Sequence, residues 1–87
     1  MGARVVAVDG FGNVQLNVRP EDIQRAGLGD RLSVHGRSAP RVSVFADLHE
    51  HALGVIVDSQ GYVALVVNQG SAAELLELRP GGTVVIE

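Results

Sequence analysis

Short apolar runs alternate with glycine-containing polar turns along the whole chain. Arg4-Val5-Val6-Ala7-Val8 is a β-branched run and predicts a strand. Asp9 to Gly12 turns. Val14 to Val18 then alternates apolar and polar residues, as a strand with one buried face does. Arg19-Pro20-Glu21-Asp22 opens a short helix, with proline early and acids in the first turn. Ile23 and Ala26 are its expected buried face, and Gly27 its stop. Arg31 to His35 alternates again, Gly36 to Ala39 reads as a loop, and Arg41 to Phe45 as a further strand. Leu53 to Val57 is almost continuously apolar and predicts a strand buried on both faces. Asp58 to Gly61 turns into a strand over Tyr62 to Val67. Ser71 N-caps a short helix over Ala72 to Leu76. Leu78 to Gly82 turns, and Thr83 to Ile86 is the last strand.

This order contains a repeat. Gly12 to Val18, a short helix, then Gly29 to Val34 forms one copy. Gly61 to Val67, a short helix, then Gly81 to Ile86 forms the other. The Asp9–Asn13 turn and the Asp58–Ser59 turn fall at equivalent places. About seven short strands with regular turns predict an all-β fold, a small closed or nearly closed β-barrel with two short helices and rough twofold symmetry. The expected organisation is one domain over residues 1–87.

Composition narrows the function classes. Hydrophobic residues make up 46% of the chain, mostly Val and Leu, and the aromatics are Phe11, Phe45 and Tyr62. Such a core is modest, and apolar surface left for a partner is expected. Net charge is −3, and the seven basic residues are all scattered arginines, which argues against a nucleic-acid partner. No cysteine is present, which excludes a disulfide or cysteine-zinc framework. No signal peptide and no long apolar run occurs, so a cytoplasmic, non-membrane location is expected.

Four stretches carry candidate chemistry. In Asp9-Gly10-Phe11-Gly12-Asn13 with Asn17, the simplest role is a hairpin turn, because Asp and Asn cap their own backbone. Asp9 can also hold a cation, Asn13 can read a heterocycle edge, and Asn17 can support either. Phe45-Ala46-Asp47 offers one ring, ordinarily core, that serves a flat ligand if one stacks on it. Asp58-Ser59-Gln60-Gly61 lacks the flanking glycines of a nucleophile elbow. Asn68-Gln69-Gly70-Ser71-Ala72-Ala73 ends a strand and starts a helix. Its small residues suit either a plain cap or the approach of a flat ring to the backbone. His49-Glu50-His51 places two imidazoles on one face but shows no third ligand, so no metal is expected.

These stretches occur in the order found in the C-terminal domain of the S-adenosylmethionine (SAM) hydroxide adenosyltransferase family, which includes SAM-dependent fluorinases and chlorinases. The chain resembles that domain over nearly its whole length. Members join a larger N-terminal α/β domain to a small barrel and assemble as trimers. SAM lies between the N-terminal domain of one subunit and the barrel of its neighbour. Most members displace methionine from the ribose 5′ carbon with water or hydroxide, giving adenosine and methionine. SAM is thus a substrate, and no cofactor is implied. By matching position, the resemblance implies that Asp9 pairs with the ligand ammonium and Ser59 bonds its carboxylate. Phe45 would lie on the adenine face, and Asn13 would bond the adenine edge. The backbone around Asn68, Ser71 and Ala72 would meet the exocyclic amine, and Phe11 would shape the pocket.

The chain also departs from the pattern. Halogenases carry arginine after the matching serine, whereas Gln60 is neutral, which favours the hydroxide type. Leu16 replaces a usual threonine, and the His49–His51 loop differs from the usual Pro- and Gly-containing stretch. The family's catalytic N-terminal domain is absent, so no catalytic residue is assigned and no turnover is expected of this chain alone. The expected partners are SAM or adenosine, that N-terminal domain, and further copies in a homo-oligomer. The alternative is a stand-alone barrel serving interaction or oligomerisation without catalysis, with a purely structural domain third.

Overall fold

The computed structural model describes all residues 1–87. The fold is mostly β with two short helices. The strands are β1 (Gly2–Val8), β2 (Val14–Leu16), β3 (Arg31–Val34), β4 (Arg37–Pro40), β5 (Leu53–Val57), β6 (Val63–Val67) and β7 (Thr83–Val85). The helices are α1 (Pro20–Arg25) and α2 (Ala72–Leu76). Five strands form a curled antiparallel sheet in the order β5-β6-β2-β1-β7, and β3 pairs only with β4.

Of the closed or nearly closed barrel of about seven strands expected from the turn spacing, the mostly β character and the two short helices hold, but a closed seven-stranded barrel is not formed. The sheet is a half-barrel, and the β3–β4 hairpin lies across its opening. Single bridges join the hairpin to the two edges, Val34 to Ile86 on one side and Arg41 to Val55 on the other. Longer ladders cannot form there. β7 has only three residues, and Pro40, which ends β4, has no N–H to donate.

Two further expectations change in the middle of the chain. Gly36 to Ala39 is not a loop but most of β4, and Arg41 to Phe45 is not a strand. The cause is a two-residue turn at His35-Gly36, whose φ angles are +52° and +76°. Two successive positive values make the mirror-image turn that suits a tight hairpin, so β4 starts directly at Arg37. The chain then leaves the sheet and makes a single 3-10 turn over Phe45–Asp47.

β6 lies at the centre of the fold, with all five residues buried. Burial on both faces, expected of β5, holds only for Leu53 to Val55, because β5 is an edge strand and Val57 is 48% exposed. Val5, Val14, Leu16, Leu65, Val55 and Ile86 form the concave core with Ile23 of α1 and Leu76 of α2. Each such side chain removed from water contributes about 1.5–3 kcal/mol. Ala26 is exposed, and Leu28 packs on the core in its place. The helix stops at Gly27, with φ +74°, and the Leu28 N–H reaches back to the Ile23 carbonyl at 3.2 Å.

The repeat is real at the level of hydrogen bonds. In both hairpin turns the first aspartate accepts the backbone N–H groups two and four residues on. Asp9 Oδ1 takes those of Phe11 and Asn13 at 2.9 and 3.0 Å. Asp58 Oδ1 takes those of Gln60 and Tyr62 at the same two distances. Gly12 and Gly61 end the turns at φ +84° and +83°. Each of these glycines abuts the N-cap residue of the other copy's helix, Gly12 on Ser71 and Gly61 on Arg19.

Candidate functional site

The site begins with a break in alternation on β1. Val5 pairs with Leu16, but Ala7 pairs with Gln15, so one extra residue, Val6, is accommodated between them. Val5 faces the core. Ala7, two positions later, instead joins Gln15 on the outer face. Gln15 pairs with Ala64 of β6, and Ala64 with Ile56 of β5. The row Ala7, Gln15, Ala64 and Ile56 thus crosses four strands on one face. Alanine at two of the four positions leaves a concave floor between the two turns.

Asp9 and Asn13 wall this hollow on one side, and Asp58, Ser59 and Gln60 on the other, around a volume of about 300 Å³. A second hollow of about 590 Å³ shares Asp9 and Asn13 and adds Phe11, Phe45, Val67, Gln69 and Gly70. The two hollows adjoin at Asp9 and Asn13 and together make a groove with Asp58 toward one end and Phe45 toward the other. Phe11 is 82% exposed and Phe45 39%. Their rings are therefore available to a flat partner, in contrast to core phenylalanines.

The electrostatics of the groove are one-sided. It holds two carboxylates and no Arg side chain. Both carboxyls titrate below the ordinary 3.8. Desolvation is the largest single influence on each and acts upward, but the hydrogen bonds together outweigh it. For Asp9 these come from Asn13, Phe11 and Gly12. For Asp58 they come from Tyr62, Gln15, Gln60 and Gly61. Both groups are thus anions at neutral pH, and their field favours a cation between them.

The predicted residues divide into two sets. Asp9, Phe11, Asn13, Phe45 and Ser59 are brought together along the groove. Asp9 Oδ2 accepts the Asn13 Nδ2 amide at 2.9 Å, which fixes that amide and leaves the Asn13 carbonyl oxygen free as an acceptor. Asn68, Ser71 and Ala72 have side chains engaged elsewhere. Asn68 Nδ2 donates to the Leu48 carbonyl at 2.9 Å. Ser71 Oγ accepts the Glu74 N–H at 3.1 Å as the α2 N-cap. Ala72 is fully buried in the core. Of that stretch, Gln69 and Gly70 line the groove. Asn17 does not line the groove. Its Oδ1 accepts the Arg4 N–H at 2.8 Å, pinning β1 beside the bulge.

Gln15 was not singled out by sequence reasoning. Its Nε2 donates to Asp58 Oδ2 and to Gln60 Oε1, each at 2.7 Å. The only sequence signal is a polar residue at an outward position of a strand, which is ordinary for a surface. His49 and His51 lie apart from the groove, and no group of three potential metal ligands occurs. No helix is long and apolar enough to cross a membrane.

A family model described as the SAM hydroxide adenosyltransferase C-terminal domain matches residues 3–85. The chain belongs to this family. Two curated relatives are named (R)-S-adenosyl-L-methionine hydrolase. That of Salinispora tropica is 44% identical over 79 residues, covering 91% of this chain and 30% of the relative. That of Salinispora arenicola is 43% identical with the same coverage. Two crystal structures share the fold of this SAM hydroxide adenosyltransferase domain. An uncharacterized conserved protein of Thermotoga maritima matches at TM-score 0.86 and 28% identity, over 99% of this chain and 35% of that one. A conserved hypothetical protein of Thermus thermophilus matches at TM-score 0.74 and 31% identity, over 99% and 34%. The domain spans about 30% of the length of the curated relatives it matches.

Proposed function

We propose that this domain supplies the adenosine- and methionine-binding wall of an enzyme that cleaves SAM with water to adenosine and methionine. The observation that carries the reading is the groove itself, with Asp58 at its polar end, Asp9 where the two hollows meet, and two exposed phenylalanines toward its other end. SAM carries an ammonium at its methionine end, a sulfonium at its centre and a flat heterocycle at the other end, which suits that distribution. Asp9 pairs with the ammonium, Ser59 bonds the carboxylate, Phe45 stacks on the adenine, and Asn13 offers its free carbonyl oxygen to the exocyclic amine. The backbone of Asn68 to Ala72 stands beside that amine. A larger domain of the same family, from a neighbouring subunit of an oligomer, closes the groove and supplies the groups that activate water. The domain alone binds weakly and turns nothing over.

Calorimetry with SAM and with adenosine tests this, on the chain alone and mixed with an N-terminal domain of the family. Binding in the mixture, weakened at least about tenfold by Asn13→Ala or Phe45→Ala, is the expected result. No binding in either sample, with both variants changing stability alone, defeats the reading. A second reading, an interaction module without a ligand, rests on Val6, Val57 and Val85, each about half exposed. Sizing in solution separates the two, because a tight homo-oligomer that buries the groove leaves no room for SAM.

A further inference from the structure

The groove poses a problem for a zwitterionic ligand. Its two carboxylates suit the cationic groups, but no arginine lines it to meet a ligand carboxylate. Neutral donors must do so, and an amide side chain is an ambiguous donor because its oxygen and nitrogen can exchange places. Here the ambiguity is removed by a chain of hydrogen bonds. Asp58 accepts two backbone N–H groups on Oδ1, and its Oδ2 faces Gln15 at 2.7 Å. A carboxylate only accepts, so the Gln15 atom beside it is the Nε2 donor. The same nitrogen lies 2.7 Å from the Gln60 side chain, which must therefore turn its Oε1 toward Gln15. The Gln60 NH2 group is left with no partner within the protein.

We infer that Gln15 is a positioning residue that sets Gln60 as an outward amide donor for a ligand carboxylate. The inference rests on the binding role proposed above and deepens it. Gln15 touches no ligand in this scheme. It transmits the fixed polarity of Asp58 across the strand pair, so that a neutral side chain presents only donors, as a cation would. Gln15 is well placed for this, since it stands on β2 between the two turns and is half-buried.

The test follows side-chain amide signals by NMR while L-methionine or L-methioninamide is added, the latter lacking the carboxylate. In the native protein the Gln60 side-chain signals shift with methionine and much less with methioninamide. In Gln15→Met, similar in size but without a donor, that carboxylate-dependent shift is lost. The Ser59 backbone amide, next to Gln60, shows the same carboxylate dependence in the native protein and loses it in Gln15→Met, and adding Gln60→Arg to Gln15→Met restores it, because arginine has only donors and needs no orientation. A purely structural role for Gln15 predicts no such rescue. Equal shifts with both probes, or an intact shift in Gln15→Met, overturn the inference. Should that variant not fold, exchange in the native protein decides. Gln15 side-chain protons must exchange more slowly than those of exposed Gln24, and equal rates overturn the inference. If adenosine moves Asn13 and Phe45 while methionine leaves Gln60 unmoved, the positioning role fails and the proposed function stands. If neither probe moves any groove signal, both fail.

Discussion

Asp9 and Asp58 close their turns with the same oxygen pattern, and this use of the side chain is satisfied without any ligand. The same bonds that hold the turns keep both carboxyls charged. Their folded pKa values lie below the ordinary 3.8, so the stability they supply is present above the unfolded value. It is lost as pH falls through the lower folded values. Urea midpoints measured from neutral pH downward are expected to hold above about pH 5 and fall below the ordinary carboxyl range. Asp9→Asn with Asp58→Asn flattens that fall, and an unchanged acid slope in the double variant contradicts the assignment. Asp58→Ala costs about 1 kcal/mol, as for other side chains that cap backbone N–H groups. At this scale Asp9 and Asn13 were legible, because Asp and Asn beside glycine announce a turn. Gln15 was not, since its role depends on Asp58, forty-three positions away along the chain.

The elements show where local patterns suffice and where they do not. Pro20 at the first helical position, Gly27 at the stop and Ser71 as N-cap act from within a few residues of sequence, and each was readable. The bulge on β1 and the turn at His35-Gly36 were missed. A bulge breaks the alternation from which a strand's faces are read, and His-Gly is a weaker hairpin signal than Asn-Gly. The contact between each turn and the opposite helix is likewise non-local, and it makes the two glycines unequal. A Cβ on Gly12 would fall on Ser71 Oγ and within 2.9 Å of the Ser71 Cα, at φ +84°. On Gly61 it would meet only the mobile Nη1 end of Arg19, at 3.1 Å. Gly61→Ala is therefore expected to cost about 1–2 kcal/mol from backbone strain. Gly12→Ala costs about 3 kcal/mol or more, because overpacking adds to the same strain. Chemical denaturation of the two variants measures the difference, and equal losses remove the special role of the Gly12–Ser71 contact. Ser71→Gly, a mild change at an N-cap, recovers part of the loss in the Gly12→Ala background.

The twofold repeat organises the whole molecule and also explains why the barrel stays open. β2 and β6 are equivalent strands and pair at the centre, while β1 and β5 flank them. On the first copy's side β1 is covered by β7. The equivalent partner for β5 would be β3, but β3 turns back on itself as the β3–β4 hairpin, and Val55 of β5 is met instead by Arg41 and Val42, just past β4. Sequence showed the repeat but not this insertion, because β4 was hidden in an apparent loop. Symmetry fails there, and the hairpin is held to the sheet on both flanks, by Arg41 and Val42 at Val55 of β5 and by β3 at the chain's last residues. Ser33 and Glu87 exchange backbone bonds at 2.8 and 3.0 Å, and Ile86, fully buried, bridges Val34 and donates its N–H to the Met1 carbonyl at 2.8 Å. The ladder from β5 to β1 is continuous and should open last, whereas the hairpin should open first as a unit. Native-state hydrogen exchange is expected to show the slowest amides in β6 and β2, with β3 and β4 several-fold to many-fold faster. Ile86→Ala removes a side chain shared by sheet and hairpin and costs about 2–5 kcal/mol. Its exchange signature separates the two units. Protection in β3 and β4 drops more than protection in β6 if the hairpin is held chiefly at that seam. A uniform drop across all strands instead means that hairpin and sheet open together, as a closed barrel would.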